Sequence, residues 1–209
     1  MTMADEKAYL RTILKTARRA MAAERAATLS REVQNRLLES GLFDACPAIV
    51  LYAAVENEVA TEALMERASK SGKSVMLVRC APGGLEIARV RDFSSLVPGA
   101  FGIPEPPPGA EVVPPEALGR CLVVTPGVAF SAKGERIGRG GGHYDRLLAK
   151  LDSQAITVGL AYSFQLLDSV PQSGHDRRLN FVITESAVYQ SSGAPRPVGS
   201  IWNQGGTTR

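Results

Sequence analysis

Between Cys121 and Ala149 the chain reads CLVVTPGVAFSAKGERIGRGGGHYDRLLA. The apolar run Cys121 to Thr125, bounded by Pro126 and Gly127, predicts a short buried strand. A loop follows that is basic at Lys133, Arg136 and Arg139, and Gly138, Gly140, Gly141 and Gly142 then lead into His143-Tyr144-Asp145-Arg146-Leu147-Leu148, the start of a helix. Strand, glycine loop and helix together make an anion holder. Glycines let backbone N–H groups approach a ligand closely, and a helix N-terminus adds partial positive charge. From Thr125 to Lys150 there are five Lys/Arg against two Asp/Glu, so the local charge favours a polyanion. Asp145, just past the loop, is within reach of a Mg²⁺ ion riding on that polyanion.

The loop is not a Walker A motif, because no G-K-[ST] closes it. It also misses the G-x-G-x-x-G fingerprint, since Gly138 and Gly140 are followed by His143 at the last position. On pattern alone a flexible surface loop stays open beside the phosphate reading.

The 209 residues suit one domain with a substantial core, with 44% hydrophobic and 22% charged residues. A net charge of +3 is too small to argue for nucleic acid. The longest apolar run, Ala48 to Val55, is far too short to span a bilayer, and no apolar leader follows Met1. Cys46, Cys80 and Cys121 are odd in number and lack C-x-x-C spacing, which predicts reduced core residues in a cytoplasmic protein. Two histidines leave little room for zinc.

Ala4 to Ser40 reads as helical, with a break near Met21 to Ala23 and Gly41 as a stop. Lys7, Arg11 and Lys15 share one face at i, i+4 and i+8. Ala48 to Val55 predicts a buried strand, followed by a polar loop and a helix from Thr61 to about Ser71. Glu56 in that loop reads as a solvated charge. Ser74 to Arg79 and Leu85 to Val90 predict a hairpin. Leu96 to Pro115, with seven prolines, predicts an extended connector that wraps the surface. Ala155 to Ala161 is a further strand and Phe181 to Thr184 the last one. From Ser191 to Arg209 the composition turns to Ser, Gly, Pro and Thr, which predicts a flexible tail that Trp202 docks locally. Residues 1–190 are then one α/β domain, with 191–209 outside the core.

The string P-G-V-A-F-S-x-x-G-x-R-I-G-R-G-G-G-H-Y-D-R, Pro126 to Arg146, resembles the signature of the 5-formyltetrahydrofolate cyclo-ligase family. The opening Lys7-Ala8-Tyr9-Leu10-Arg11 is similar to that family's K-x-x-L-R, and Glu58 with Thr61 to its E-x-x-T. Ile103 to Pro106 is similar to its I-P-E-P segment, and Val170 to Glu185 to its second signature. The resemblance covers about Lys7 to Glu185. It implies an α/β/α, Rossmann-like, three-layer domain with a mainly parallel sheet. It also implies the conversion of ATP and 5-formyltetrahydrofolate to 5,10-methenyltetrahydrofolate, ADP and phosphate by a monomer that binds neither nucleic acid nor membrane. Nucleotide contacts are implied for Lys7, Arg11, Arg136, Gly138, Arg139, Gly140, Gly141, Gly142, His143 and Tyr144. Folate contacts are implied for Ala53, Glu58, Arg139 and Gly140 to His143, with the Arg139 side chain exposed and aimed at the transferring phosphate. Asp145 and Asp176 are the implied Mg²⁺ ligands.

Four positions stay outside this assignment or depart from the family pattern. His143 replaces an aromatic residue that lies against folate in the family, and Asn180 replaces an aspartate, so no metal role follows for it. Lys15 and His175 read as structural or solvated. A kinase or ligase for another small acid would keep the phosphate loop without folate. A nucleotide- or RNA-binding module is the other alternative, although no RNP aromatic motif is present.

Overall fold

The computed structural model describes residues 2–99 and 102–193. Helix α1 (Met3–Arg19) opens with a capping box between Thr2 and Asp5, and α2 (Ala23–Glu39) follows after the expected break. Strand β1 (Ala48–Leu51) leads to α3 (Glu62–Lys70), and β2 (Ser74–Ala81) turns tightly into β3 (Gly84–Arg89). The proline-rich connector carries a two-residue hairpin, β4 (Val97–Pro98) and β5 (Pro104–Glu105). Then come β6 (Cys121–Thr125), β7 (Ala129–Ser131), β8 (Arg136–Ile137), α4 (His143–Leu148) and β9 (Ile156–Leu160). Strands β10 (Leu166–Leu167), β11 (Phe181–Ile183) and β12 (Val188–Gln190) follow.

The main sheet has the order β12-β11-β9-β6-β1-β2-β3. Its five inner strands are parallel, and the hairpin partners β3 and β12 close the two edges antiparallel. Side-chain alternation divides the core. Ile49, Leu51 and Leu77 pack with Val33, Leu37 and Leu64 of α2 and α3, whereas Val50, Met76 and Val123 pack with Leu147 of α4. The sheet is therefore covered on both faces, and each fully buried Leu, Ile or Val contributes roughly 1.5–3 kcal/mol relative to exposure.

Four expectations are corrected. The apolar run to Val55 outlasts its strand. The β1 ladder ends at Leu51, and Glu56 and Asn57 adopt left-handed φ of 53° and 58°, a turn held by the Asn57 amide donating to the carbonyls of Arg18 and Met21. The segment between Thr125 and the glycines is no plain loop. β7 and β8 form a hairpin that joins β10 in a second small sheet. Phe181–Ile183 is not the last strand, because β12 pairs antiparallel with it. Ser191, expected outside the core, is buried and donates its hydroxyl to the Leu179 carbonyl at 2.6 Å. Trp202 lies outside the described residues.

The parallel order reverses between β1 and β6. From β1 the chain steps to β2 on one side, then returns across to build β6, β9 and β11 on the other. In open α/β sheets the crevice beyond the carboxyl ends at such a reversal is where a ligand fits without crossing a connection.

Gly159 on β9 shows how closely the β7 hairpin is seated on the sheet. A Cβ there would lie 2.5 Å from Phe130 Cε1 and 2.8 Å from Leu179 Cδ1. Gly159→Ala is expected to overpack this contact at a cost of about 1–3 kcal/mol. In a chain of this size the melting temperature then falls by roughly 2–4 °C per kcal/mol. An unchanged melting temperature would mean that Phe130 swings aside freely.

Candidate active site

Beyond the ends of β1 and β6 lies a cavity of about 590 Å³. Every candidate contact from the sequence, Lys7 through Asp176, lines it. The residues come together because α1 crosses the reversal point. The loop after β1 brings Glu58, the hairpin and glycine segment after β6 bring Arg136 to Asp145, and the turn before β11 brings Asp176.

The glycine segment is an open cradle. Gly140 and Gly142 have φ of 113° and 64°, which only glycine adopts without strain. Among the described residues, no hydrogen bond runs from the N–H groups of Arg139 to Gly142, while the Gly138 carbonyl is held by Arg11 Nε at 2.9 Å. The α4 helix behind the cradle has only six residues. The expected contribution of a helix terminus is therefore small, and the donors are the loop's own N–H groups. Arg136 is buried on β8, donates to Asp145 Oδ1 at 3.1 Å and sits 5.5 Å above the Tyr144 ring. Its Nε is buried without a partner, an orphan donor that an anionic ligand would satisfy.

Asp145 and Asp176 each use one oxygen within the chain. Asp145 Oδ1 accepts from Arg136 and, at 3.2 Å, from the Arg177 N–H. Asp176 Oδ2 accepts from Lys7 and, at 2.7 Å, from the Ser173 N–H. Burial works against the Asp176 charge, but the hydrogen bonds from Lys7 and Ser173 outweigh it and hold the carboxyl below its ordinary value. No group of three or more His, Cys, Asp or Glu suited to a metal occurs among the described residues. Two carboxylates that each keep an oxygen free suit Mg²⁺, which takes one or two carboxylates and completes its shell with phosphate and water. Asn180 is elsewhere. Its Oδ1 accepts from the N–H and hydroxyl of Thr157, clasping β11 to β9.

Glu58 is buried and fully engaged. Oε1 accepts from Arg139 at 3.0 Å and Arg18 at 3.4 Å, and Oε2 from the Val55 N–H at 3.3 Å. Arg139 thus departs from the expectation. Its side chain is exposed, as expected, but turns to Glu58, with Glu56 at 3.9 Å, and not into the phosphate cradle. Glu56 is likewise no solvated charge. It meets Arg19, Arg18 at 3.7 Å and Lys15 at 3.8 Å, and the Arg19 hydrogen bond holds its carboxyl below the ordinary value despite partial burial. Lys15 therefore pairs with the loop behind the site, whereas Lys7 and Arg11 line the cavity itself.

His143 Nδ1 takes a hydrogen bond from Arg146 Nη2 at 3.0 Å. Because a guanidinium only donates, Nδ1 is the acceptor and the ring proton is assigned to Nε2. Tyr52 is buried and Tyr144 half-buried, and both phenols are raised above their ordinary value, first by burial and then by the nearby Glu58 charge.

Sequence reasoning missed Arg18, which is 1% exposed. Besides Glu58 it donates to the Glu56 carbonyl at 3.0 Å and the Gly127 carbonyl at 3.2 Å. Positions 7, 11, 15 and 18 continue one helical stripe, but nothing in the stripe alone distinguishes Arg18 from a solvated cation. Ile103 and Glu105, from the I-P-E-P segment, and Cys80 also line the cavity, although sequence reasoning assigned them no site role.

The chain is similar to known proteins over nearly its whole length. It is 28% identical to a probable 5-formyltetrahydrofolate cyclo-ligase of Caenorhabditis elegans, covering 87% of this chain and 93% of the relative. It is 29% identical to the 5-formyltetrahydrofolate cyclo-ligase of Escherichia coli K12, covering 85% and 100%. The NMR structure of Aquifex aeolicus 5,10-methenyltetrahydrofolate synthetase superposes with a TM-score of 0.79 at 31% identity, covering 90% of this chain and 94% of the other. The family model of the 5-formyltetrahydrofolate cyclo-ligases matches residues 3–185. With that match spanning both signatures and every cavity-lining segment, the chain belongs to the 5-formyltetrahydrofolate cyclo-ligase family.

Proposed function

We propose that this chain converts 5-formyltetrahydrofolate and ATP to 5,10-methenyltetrahydrofolate, ADP and phosphate, with Mg²⁺ held by Asp145 and Asp176. The observation that carries the reading is one cavity at the strand-order reversal, with an N–H cradle at the β6 side and a buried carboxylate, Glu58, at the β1 side. The α/β/α layering of the Rossmann-like class is part of the same reading, supported by the separate apolar clusters on the two sheet faces.

In this reading the formyl oxygen attacks the γ-phosphorus, the bond to the β-phosphate oxygen breaks and ADP leaves. N10 then bonds to the activated formyl carbon, its proton is lost and phosphate departs with the former formyl oxygen. Mg²⁺, when bound, neutralises phosphate charge. The chain's own contribution is positional. The N–H groups of Arg139 to Gly142, the free ends of Arg11 and the orphan Nε of Arg136 receive phosphate oxygens. Lys7 orients Asp176 and Arg136 orients Asp145, each leaving one oxygen for the ion. Arg18 holds Glu58 in place, and Arg139, the more exposed of its two partners, yields the carboxylate to the N–H groups of the pterin. The direct test is to mix the protein with Mg-ATP and 5-formyltetrahydrofolate and follow methenyl absorbance. Absence of product with a folded protein removes the reading.

Glu58→Gln is expected to raise the folate KM roughly tenfold, because a donor then faces pterin donors and leaves polar groups unpaired at about 1–3 kcal/mol. The ATP constant measured without folate stays put. The melting temperature falls as well, since the buried Arg18 loses its counter-charge. If ATP binding weakens and the folate constant does not, Glu58 serves the nucleotide and the folate assignment is lost.

Asp145→Asn and Asp176→Asn are expected to move the Mg²⁺ activation midpoint to higher concentration, since each amide keeps the shape and removes a charge that a hard cation favours. Identical midpoints for both variants and wild type would reduce the two aspartates to partners of Arg136 and Lys7.

A further inference from the structure

The proline-rich connector does more than wrap the surface. Its β4–β5 hairpin lays Glu105 against the end of β2, where Glu105 Oε1 accepts from the Cys80 N–H at 3.0 Å. Glu105 is 8% exposed and lines the cavity. Among the described residues no Lys, Arg or His forms an ion pair with it, and the only donors it meets are the N–H and the weak S–H of Cys80. A buried carboxylate without a cation is costly unless further donors reach it. The chain nevertheless makes room for it. A Cβ on Gly99 would overlap the Glu105 carboxylate, so Gly99 is the cradle that fixes the side chain.

Glu58 and Glu105 approach the cavity from neighbouring strand ends, the first after β1 and the second beside the end of its parallel neighbour β2. Their states differ. Glu58 is compensated by Arg18 and Arg139, whereas Glu105 offers uncompensated acceptor capacity next to the apolar Val78, Leu85 and Ile103. That combination repels phosphate and carboxylate and fits the flat, N–H-rich part of a neutral heterocycle.

We propose that Glu105 contacts the substrate, accepting an N–H of the folate's tetrahydropterin portion, and so fixes which end of the folate enters the β2 side of the cavity. This rests on the cyclo-ligase reading above. The anionic groups of both substrates are thereby kept at the cradle side, where the cations are.

Glu105→Gln separates this role from a structural one. The amide oxygen still accepts from Cys80, while the amide NH₂ turns a donor toward the ligand. The expected result is a folate KM, and a folate Kd measured without ATP, raised roughly tenfold, with the ATP KM and the melting temperature unchanged. Gly99→Ala provides a second arm, displacing the carboxylate without altering its charge, and is expected to raise the same two folate constants. A folded E105Q variant with wild-type folate constants overturns the proposal and leaves Glu105 as a cap on Cys80, and a rise confined to the ATP KM overturns it equally. If wild type neither binds nor consumes 5-formyltetrahydrofolate, the cyclo-ligase reading and this proposal fall together. Active wild type with unaffected variants removes only the proposal.

Discussion

A single guanidinium joins the parts that make the cavity. Arg18, in the last turn of α1, donates to the Glu56 carbonyl, the Gly127 carbonyl and the Glu58 carboxylate. These lie on the loop after β1 and the turn after β6, the two strand ends between which the sheet order reverses. Burial pulls the Arg18 pKa down and the charge of Glu58 opposes it. Breaking such a pair from one side leaves an uncompensated buried charge, typically about 3–5 kcal/mol. The geometry therefore stands or falls as a unit, with α1 acting as a clamp over two loops.

The same clamp explains the arrangement of charge. Lys7, Arg11, Lys15 and Arg18 lie along one stripe of α1 and reach three segments around the cavity: Asp176, the Gly138 carbonyl, and the loop that carries Glu56 and Glu58. At the cavity Lys7 pairs with Asp176, Arg136 with Asp145 and Arg139 with Glu58. Selectivity comes from local pairing more than from a long-range potential. Glu56, in its left-handed turn, collects Arg19, Lys15 and Arg139 and so braces the backbone that presents Glu58 two residues on.

What was legible in the sequence is what local chemistry determines. The glycines at 140 and 142 are demanded by φ, the break before Ala23 by composition, and the β2–β3 turn by Pro82-Gly83, so those features could be read directly. The candidate ligand contacts could be placed because motif order carries them. What stayed hidden depends on tertiary partners. Strand β8 is two residues long and exists only because β7 pairs with it. Lys15 and Arg18 look like any solvated stripe until α1 is docked across the loops. Glu105 sits in a proline-rich stretch whose hairpin gains meaning only against Cys80 of β2. Arg139 was misdirected for the same reason, since a long side chain between two glycines gives no hint that a carboxylate from eighty residues earlier will meet it.

The side chains around the cavity also limit the chemistry. Cys80 is raised above its ordinary value by burial and by Glu105, and Tyr52 and Tyr144 are raised by burial and by Glu58, so none of the three supplies an anion near neutral pH. His143 has its Nδ1 engaged by Arg146, and the Cys121 thiol, pushed up to about 12 by burial, is locked in the core. A covalent nucleophile is helped by a depressed pKa, whereas those of Cys80, Cys121, Tyr52 and Tyr144 are raised. Ordered N–H groups, guanidinium groups and two half-free aspartates are what the cavity offers in quantity. A phosphoryl transfer followed by ring closure asks for that set, because both steps run between atoms the substrates already carry and need alignment and charge neutralisation from the protein.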